Sequence, residues 1–392
     1  MPDRDDLPAP PSRHVGTWLD LRGLRRKTGD EAPDRPAAPR PRALGGPPYC
    51  ELRAASSFSF LDGSSMPEEL VLRAAELDLP AAALVDRGGV YGAPRFYAAA
   101  REAGLRALVG AEIALDAPEL AALRPPGAGE PPRGRRGEAG AARLPRVTLL
   151  VRDRAGYRNL CRLVTAAGRG RPKGEGRATW ELLRAHAGGL HCLTGGEEGP
   201  LVRTLEAAGR PDAARPLLER LAAAFDGRVH VELQRHRLRE EEHRNRALAA
   251  LARRLRLPLV ATNGVRYARP EDRPLHDVMT CIRERTDLDR AGRMLAAHRE
   301  RHLKGGREMA ELFADLPEAV AESAALAGEL DFTLADLGYR FPDYPLPPGE
   351  TPAAYLRHVA WNEARARFRP LTARAQAQVE RELGRASCRE RV

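Results

Sequence analysis

From residue 49 to residue 262 short apolar runs alternate with segments whose apolar residues recur at helical spacing, a rhythm that few folds accept. Runs at 81–85, 107–115, 147–151, 189–194, 229–234 and 257–262, with a short first run through Leu52, read as strands, because each is brief, apolar and bounded by polar residues or glycine. The intervening segments carry helix signals. Pro67-Glu68-Glu69 places proline and carboxylates in a first turn, and Leu70, Val71, Ala74, Ala75 and Leu77 follow at helical spacing. Helix 93–103 is closed by Gly104. Helices also read at 157–166, 180–187, 211–225 and 239–256, the last with Ala247, Leu248, Leu251, Ala252 and Leu255 as its buried stripe. A β-α-β-α-β order implies parallel strands joined by right-handed crossovers. The expectation is an α/β barrel-like domain over 47–275, interrupted at 117–145 by a flexible insertion containing Pro-Pro-Gly-Ala-Gly and Arg-Gly-Arg-Arg-Gly. Past residue 275 the pattern turns mainly helical (308–313, 317–330, 352–368), so a second domain is expected to begin there. Residues 1–46, rich in Pro, Arg and Asp with only Trp18, Leu19 and Leu21 as an apolar cluster, read as a disordered tail.

Composition removes several classes of function. No apolar run approaches the length of a membrane span, and the start Met-Pro-Asp-Arg-Asp-Asp lacks the basic and apolar parts of a secretory signal. Five scattered cysteines fit neither a disulfide framework nor a Cys-x-x-Cys zinc site, and suit a reducing cytoplasm. The net charge of +10 admits a polyanionic partner. Arginine richness alone says little: only Lys27, Lys173 and Lys304 are lysines among 64 basic residues, the bias a GC-rich coding sequence produces by itself. Placement says more, since residues 116–180 hold 14 basic and 6 acidic side chains.

Parallel α/β barrels carry their chemistry at the C-terminal ends of the strands. Asp86, after Ala-Leu-Val, and Glu112, after Leu-Val-Gly-Ala, occupy such ends, and two converging carboxylates are a start toward a divalent-metal site that activates water. The remaining ligands of such a site are usually histidines. The first strand offers Glu51, Arg53 and Ala55 instead, the second Arg87, and the last ends in Gly264 and Arg266. Guanidinium groups repel a metal and replace its charge, which leads us to expect them paired with Asp86 and Glu112, holding the barrel mouth shut. His191, His230, His236 and His243 are not at ligand spacing. Asp287-Leu288-Asp289 follows Thr286 at a helix start, where capping explains it. No Walker loop, Gly-x-Ser-x-Gly elbow or dinucleotide fingerprint is present.

The ordered series Glu51-Leu52, Ser57-Phe58-Ser59-Phe60-Leu61, Pro67-Glu68-Glu69-Leu70, Asp86-Arg87, Gly89-Val90-Tyr91-Gly92, Val109-Gly110-Ala111-Glu112, Gly156-Tyr157-Arg158-Asn159-Leu160, Leu193-Thr194-Gly195-Gly196, Glu232-Leu233-Gln234-Arg235-His236, Ala261-Thr262-Asn263, His302-Leu303-Lys304 and Tyr339-Arg340-Phe341-Pro342 resembles the N-terminal part of bacterial C-family DNA polymerases, the polymerase III α-subunit type. Glu51 and Arg87 resemble the error-prone, translesion branch more than the replicative one. The resemblance implies a distorted (βα)7-like polymerase-and-histidinol-phosphatase (PHP) barrel, then the start of a mainly helical polymerase region, palm and thumb, over 276–383. In relatives that keep the metal site, it places histidines at the positions of Arg53, Ala55, Arg87 and Arg266, and acids at Asp86, Glu112 and Gly264. Only Asp86 and Glu112 remain, as remnant ligand positions, so the barrel is expected to be a catalytically dead scaffold with no metal bound by this chain. Family polymerases use Mg2+ on three palm aspartates whose motif this chain lacks, so the chain is expected to be truncated and inactive alone, with no catalytic or cofactor-binding residue of its own. DNA, accessory polymerase subunits and a sliding clamp, engaged through a missing C-terminal part, are the partners the resemblance implies, in the cytoplasm and away from membranes. Gly384-Arg-Ala-Ser-Cys-Arg-Glu-Arg-Val392 departs from the family and reads as a translated sequencing adapter. The rival readings are a free-standing PHP-family metal-dependent phosphoesterase and a non-enzymatic docking module.

Overall fold

A computed structural model describes residues 46–116, 144–335, 337 and 344–389. All but the last residue of the tail expected over 1–46, all but the last two residues of the 117–145 insertion, and Tyr339-Arg340-Phe341-Pro342 lie outside the described residues. Residues up to Ala335 form one compact unit and those from Asp336 a second.

In the first unit the order is β1 (Glu51–Ala54), α1 (Pro67–Glu76), β2 (Ala81–Arg87), α2 (Ala93–Ala103), β3 (Arg106–Ala114), β4 (Arg146–Val151), α3 (Arg154–Gly168), α4 (Trp180–Ala185), β5 (Leu190–Leu193), α5 (Pro200–Ala208), α6 (Arg215–Ala224), β6 (Val229–Leu233), α7 (Arg239–Leu255) and β7 (Leu259–Ala261). There follow α8 (Arg273–Glu284), α9 (Leu288–Ala291), α10 (Gly306–Leu312) and α11 (Pro317–Glu329). Local chemistry sets many of these ends. Proline opens α1, Gly104 closes α2 in the left-handed conformation at φ 68°, and the Asp153 carboxylate caps α3 by accepting from Gly156 N at 2.9 Å. Asp287 caps α9 in the same way, accepting from Arg290 N at 2.9 Å, as expected of Asp287-Leu288-Asp289.

The strands lie side by side in sequence order from β1 to β7. The sheet curls until its ends meet: Ala55 N donates to Val265 O at 3.0 Å and Val265 N to Arg53 O at 2.9 Å. The expected α/β barrel architecture is present, with one correction. β4 runs antiparallel to both β3 and β5, whereas parallel strands are expected throughout. An antiparallel neighbour needs no crossover helix, and the Pro- and Gly-rich sequence between β3 and β4 has no helical period.

Side chains alternate faces along a strand, so Ala81, Ala83, Val85 and Arg87 share one face of β2, Leu108, Gly110 and Glu112 one face of β3, and Arg146, Thr148 and Leu150 one face of β4. Each face is apolar at one end and charged at the other. The apolar ends join Cys50, Leu52, Leu193 and Val260 in a buried cluster completed by Leu326, Ala327 and Leu330, from α11 and the residue after it. His191 and His230 meet the same helix, facing Glu329 at 3.5 Å and Glu322 at 3.1 Å. The segment after residue 275, expected to open a new domain, thus contributes α11 to the core of the barrel's own unit.

In the second unit α12 (Pro352–Arg367) is capped by Thr351, whose hydroxyl accepts from Ala354 N at 3.2 Å, and α13 (Ala373–Arg389) follows. Helical backbone continues through Gly384 to Arg389 of the segment read as adapter sequence; its last three residues lie outside the described residues. Among the described residues no helix is long and apolar enough to cross a membrane.

Leu326→Ala is expected to lower unfolding free energy by about 2–5 kcal/mol, the cost of a cavity in a packed core, whereas Leu356→Ala, at a half-exposed position, stays within about 0.5 kcal/mol. Urea titration followed by circular dichroism measures both, and a shift below about 0.5 kcal/mol for Leu326→Ala would separate α11 from the core.

Candidate functional site at the barrel mouth

The charged ends of the inner faces converge on Glu112, whose side chain has no solvent exposure. Arg53, from β1, places Nε 3.0 Å from Glu112 Oε1 and donates a second bond, from a terminal nitrogen, to Glu232 Oε1 at 3.3 Å. Arg266, beyond β7, donates both terminal nitrogens to Glu112 Oε1 at 3.3 Å and sets Nε 3.1 Å from Asp62. Arg87, at the end of β2, reaches Glu112 Oε2 at 3.4 Å and Asp62 at 3.0 Å, and closes on Glu198. Three guanidinium groups thus surround one carboxylate. Burial pushes the Glu112 carboxyl up, but the fields of Arg266, Arg53 and Arg87 outweigh it and hold the group well below the usual carboxylate range. Glu198 follows the same logic and sits at about 2, burial being overcome by Arg87 and Arg266.

Asp86 lies elsewhere in this chemistry. Its carboxylate accepts from Ser56 N at 2.8 Å, Ser56 Oγ at 3.0 Å and Ser59 Oγ at 2.8 Å, with no arginine among these partners. The expected pairing with arginine holds for Glu112 and fails for Asp86, because Ser56 and Ser59 in the loop after β1 reach it first. Ser59 also accepts from Arg87 N at 3.0 Å, so Asp86 fastens that loop to β2. Glu51 is likewise held by hydrogen bonds: Tyr49 Oη at 2.7 Å, Arg53 N at 2.9 Å and Asn263 N at 3.0 Å. Burial still dominates and pushes its carboxyl up to about 7.

The other substituted positions carry no ligand. Ala55 is buried and its backbone joins the barrel closure. Gly264 has φ +56°, and a Cβ there would stand 2.6 Å from Gln234 Nε2. Gln234 in turn donates to Glu232 Oε1 at 2.8 Å and Thr262 Oγ1 at 3.1 Å. A metal ion does not fit this arrangement, because both oxygens of Glu112 already face guanidinium nitrogens. Among the described residues no group of three or more His, Cys, Asp or Glu side chains is placed to hold one. His236 is a structural residue, its ring nitrogens facing Glu241 Oε1 at 2.7 Å and Asn263 O at 3.0 Å.

Four members of the network escape the sequence reading: Asp62, Arg146, Glu198 and Glu232. Arg146 opens β4 and, since that strand is inverted, stands at the mouth, where burial and the like charge of Arg87 depress its pKa. Glu198 follows Thr194-Gly195-Gly196-Glu197 at the end of β5, and the strand-end rule that finds Asp86 and Glu112 would also have found it. The assembled mouth is a buried lattice of fixed charges. Its guanidinium groups neither accept nor release protons near neutral pH.

A curled seven-stranded sheet with a buried lattice of ion pairs at one end defines an α/β barrel. Residues 51–236 match the model of the PHP domain. Over 376 residues the chain is 40% identical to the error-prone DNA polymerase of Mycolicibacterium paratuberculosis, covering 91% of this chain and 33% of that protein. It is 38% identical to the error-prone DNA polymerase of Nocardia farcinica over 374 residues, covering 86% of this chain and 32% of the relative. Among solved structures, an amidohydrolase from Chromobacterium violaceum aligns with TM-score 0.33 and 17% identity over 56% of this chain and 88% of its own. The chain carries a PHP domain and is a relative of the error-prone DNA polymerases, spanning about a third of the length of these curated relatives.

Glu112→Gln is expected to cost roughly 3–5 kcal/mol at neutral pH, the penalty for stripping the partner from buried cations. Urea unfolding measures it, and a neutral result would remove Glu112 from its central role. The raised pKa of Glu51 makes the opposite prediction. Its protonated form is favoured by folding, so its stabilising contribution is complete below about 4.5 and is lost as pH rises to about 7. Glu51→Gln should therefore gain on the order of 3 kcal/mol over the parent protein between those limits. That gain adds to the rise with pH that His191, His276 and His298, each depressed to about 4, impose on both proteins. Parallel pH profiles of the two urea midpoints would overturn it.

Proposed function

We propose that this chain is the PHP-containing part of an error-prone DNA-directed DNA polymerase α subunit that works in the cytoplasm in repair and translesion synthesis, and that its barrel is a scaffold without phosphoesterase or proofreading activity. The similarity to error-prone polymerases across nine-tenths of the chain supports the first half. One observation carries the second, the closure of Arg53, Arg87 and Arg266 around Glu112. Nucleotidyl transfer on Mg2+ ions would belong to the part of the longer relatives that this chain does not span. In such an enzyme DNA is the substrate, with accessory subunits and a sliding clamp as partners. The free thiols of Cys161, Cys192 and Cys281 suit a reducing compartment.

The purified chain incubated with Mn2+ or Zn2+ should retain no stoichiometric metal and should turn over neither a phosphomonoester nor a primer 3′ end. Elemental analysis and a phosphatase and exonuclease assay measure this. Bound metal together with turnover abolished by Glu112→Ala would defeat the scaffold reading and restore a metal-dependent phosphoesterase.

A further inference from the structure

The basic stretch singled out by its charge resolves, in the fold, into one face of α3. The buried residues of this helix are Gly156, Leu160, Leu163 and Ala167. At ~100° per residue, Arg154, Arg158 and Arg162 fall on a strip ~80° wide whose middle lies ~170° from the centre of that buried face. All three are exposed, as is Arg169 just past the helix end. Successive arginines at this spacing advance ~6 Å along the axis.

α3 differs from its neighbours in one respect. Every other α-helix described contains at least one acidic residue, and many pair it with arginine, as in Arg73–Glu76, Arg215–Glu219, Arg244–Glu206 and Arg253–Glu318. α3 contains none in its 15 residues. The adjacent acids are engaged elsewhere: Asp153 caps the helix and pairs with Arg152 at 2.9 Å, and Asp116 pairs with Arg177 at 2.9 Å. Arg158, Arg162 and Arg169 have no ion-pair partner among the described residues. Arg154 stands at the first helical position, where a cation opposes the helix dipole. Codon bias explains many arginines but not the removal of acids from one helix.

We infer that the outward face of α3 docks on the phosphate backbone of nucleic acid without reading sequence. The surface between the arginines is Ala155, Thr165 and Ala166, with no large apolar anchor of the kind a protein partner needs. The nearby aromatic residue, Tyr157, has one face of its ring taken by Phe332, stacked at 4.5 Å. Charge without anchors suits phosphate contact alone. The choice of nucleic acid over another polyanion rests on the polymerase reading above.

Fluorescence anisotropy of the whole chain with labelled duplex DNA, from about 50 to about 200 mM salt, tests it. The triple variant Arg158→Ala, Arg162→Ala, Arg169→Ala should lower the slope of log affinity against log salt by about 2–3 units, near 0.9 for each lost phosphate contact. The matched triple Arg101→Ala, Arg239→Ala, Arg307→Ala, exposed arginines on other helices, should leave the slope unchanged. Equal losses in the two triples, or no loss in the first, would overturn the surface while leaving DNA as a partner. No binding by the parent chain at low salt would overturn both the surface and DNA as this chain's partner. Tighter binding of polyglutamate than of DNA would assign the face to an acidic protein instead.

Discussion

A carboxylate removed from water and ringed by guanidinium groups sets the terms for the barrel mouth. Burying Glu112 alone would cost several kcal/mol and drive it to its neutral form. Arg53, Arg87 and Arg266 reverse that preference, yet each is itself largely buried and needs further carboxylates: Glu232 for Arg53, Asp62 for Arg266, and Asp62 with Glu198 for Arg87. The lattice grows outward from Glu112 until its charges balance. It ties together residues from β1, β2, β3, β6 and the chain beyond β7. Interactions of this type are individually weak evidence for stability. Removing one partner is costly all the same, because the remainder is left buried and uncompensated.

The two retained acids have parted company. Glu112 is an electrostatic centre, whereas Asp86 is a hydrogen-bond acceptor for Ser56 and Ser59 and works as a clasp between the loop after β1 and the end of β2. Both stand at strand ends, so the sequence pattern treats them alike. Local geometry separates them: a serine hydroxyl and a backbone amide two residues beyond Ala54 arrive at Asp86 within 3.0 Å, so no guanidinium is needed there.

Much of this was legible in the residues. Alternation of short apolar runs with helical stripes located the seven strands within a few positions, since each strand is buried on both faces and each helix on one. What escaped depends on direction and on distance along the chain. The orientation of β4 has no signature in its own six residues; it follows from a connection lacking helical period, and with it went the placement of Arg146. The boundary expected at residue 275 relied on the end of strand patterning, which cannot reveal that Leu326 and Leu330 return to the barrel's core cluster. Asp62 and Glu232 lie at positions where an acid is ordinary, and only the pairing of distant strands shows what they meet.

Backbone geometry adds to the side-chain lattice at the mouth. At the last strand, Gly264 adopts φ +56°, a conformation that L-residues rarely take, and the space a Cβ would enter is already held by Gln234. Gln234 is fixed there by Glu232 and Thr262, and Glu232 is fixed by Arg53. An acid placed at position 264 would meet a strained backbone and a filled site, and a histidine placed at position 53 would strand Glu232 and Glu112 without their cation. Each such exchange is therefore unfavourable until several others have been made. Coupling of this kind is expected wherever buried charges share partners, because close contacts are not additive. The arginine-filled mouth is thus held by partners that depend on one another, and no single exchange there is independent of the rest.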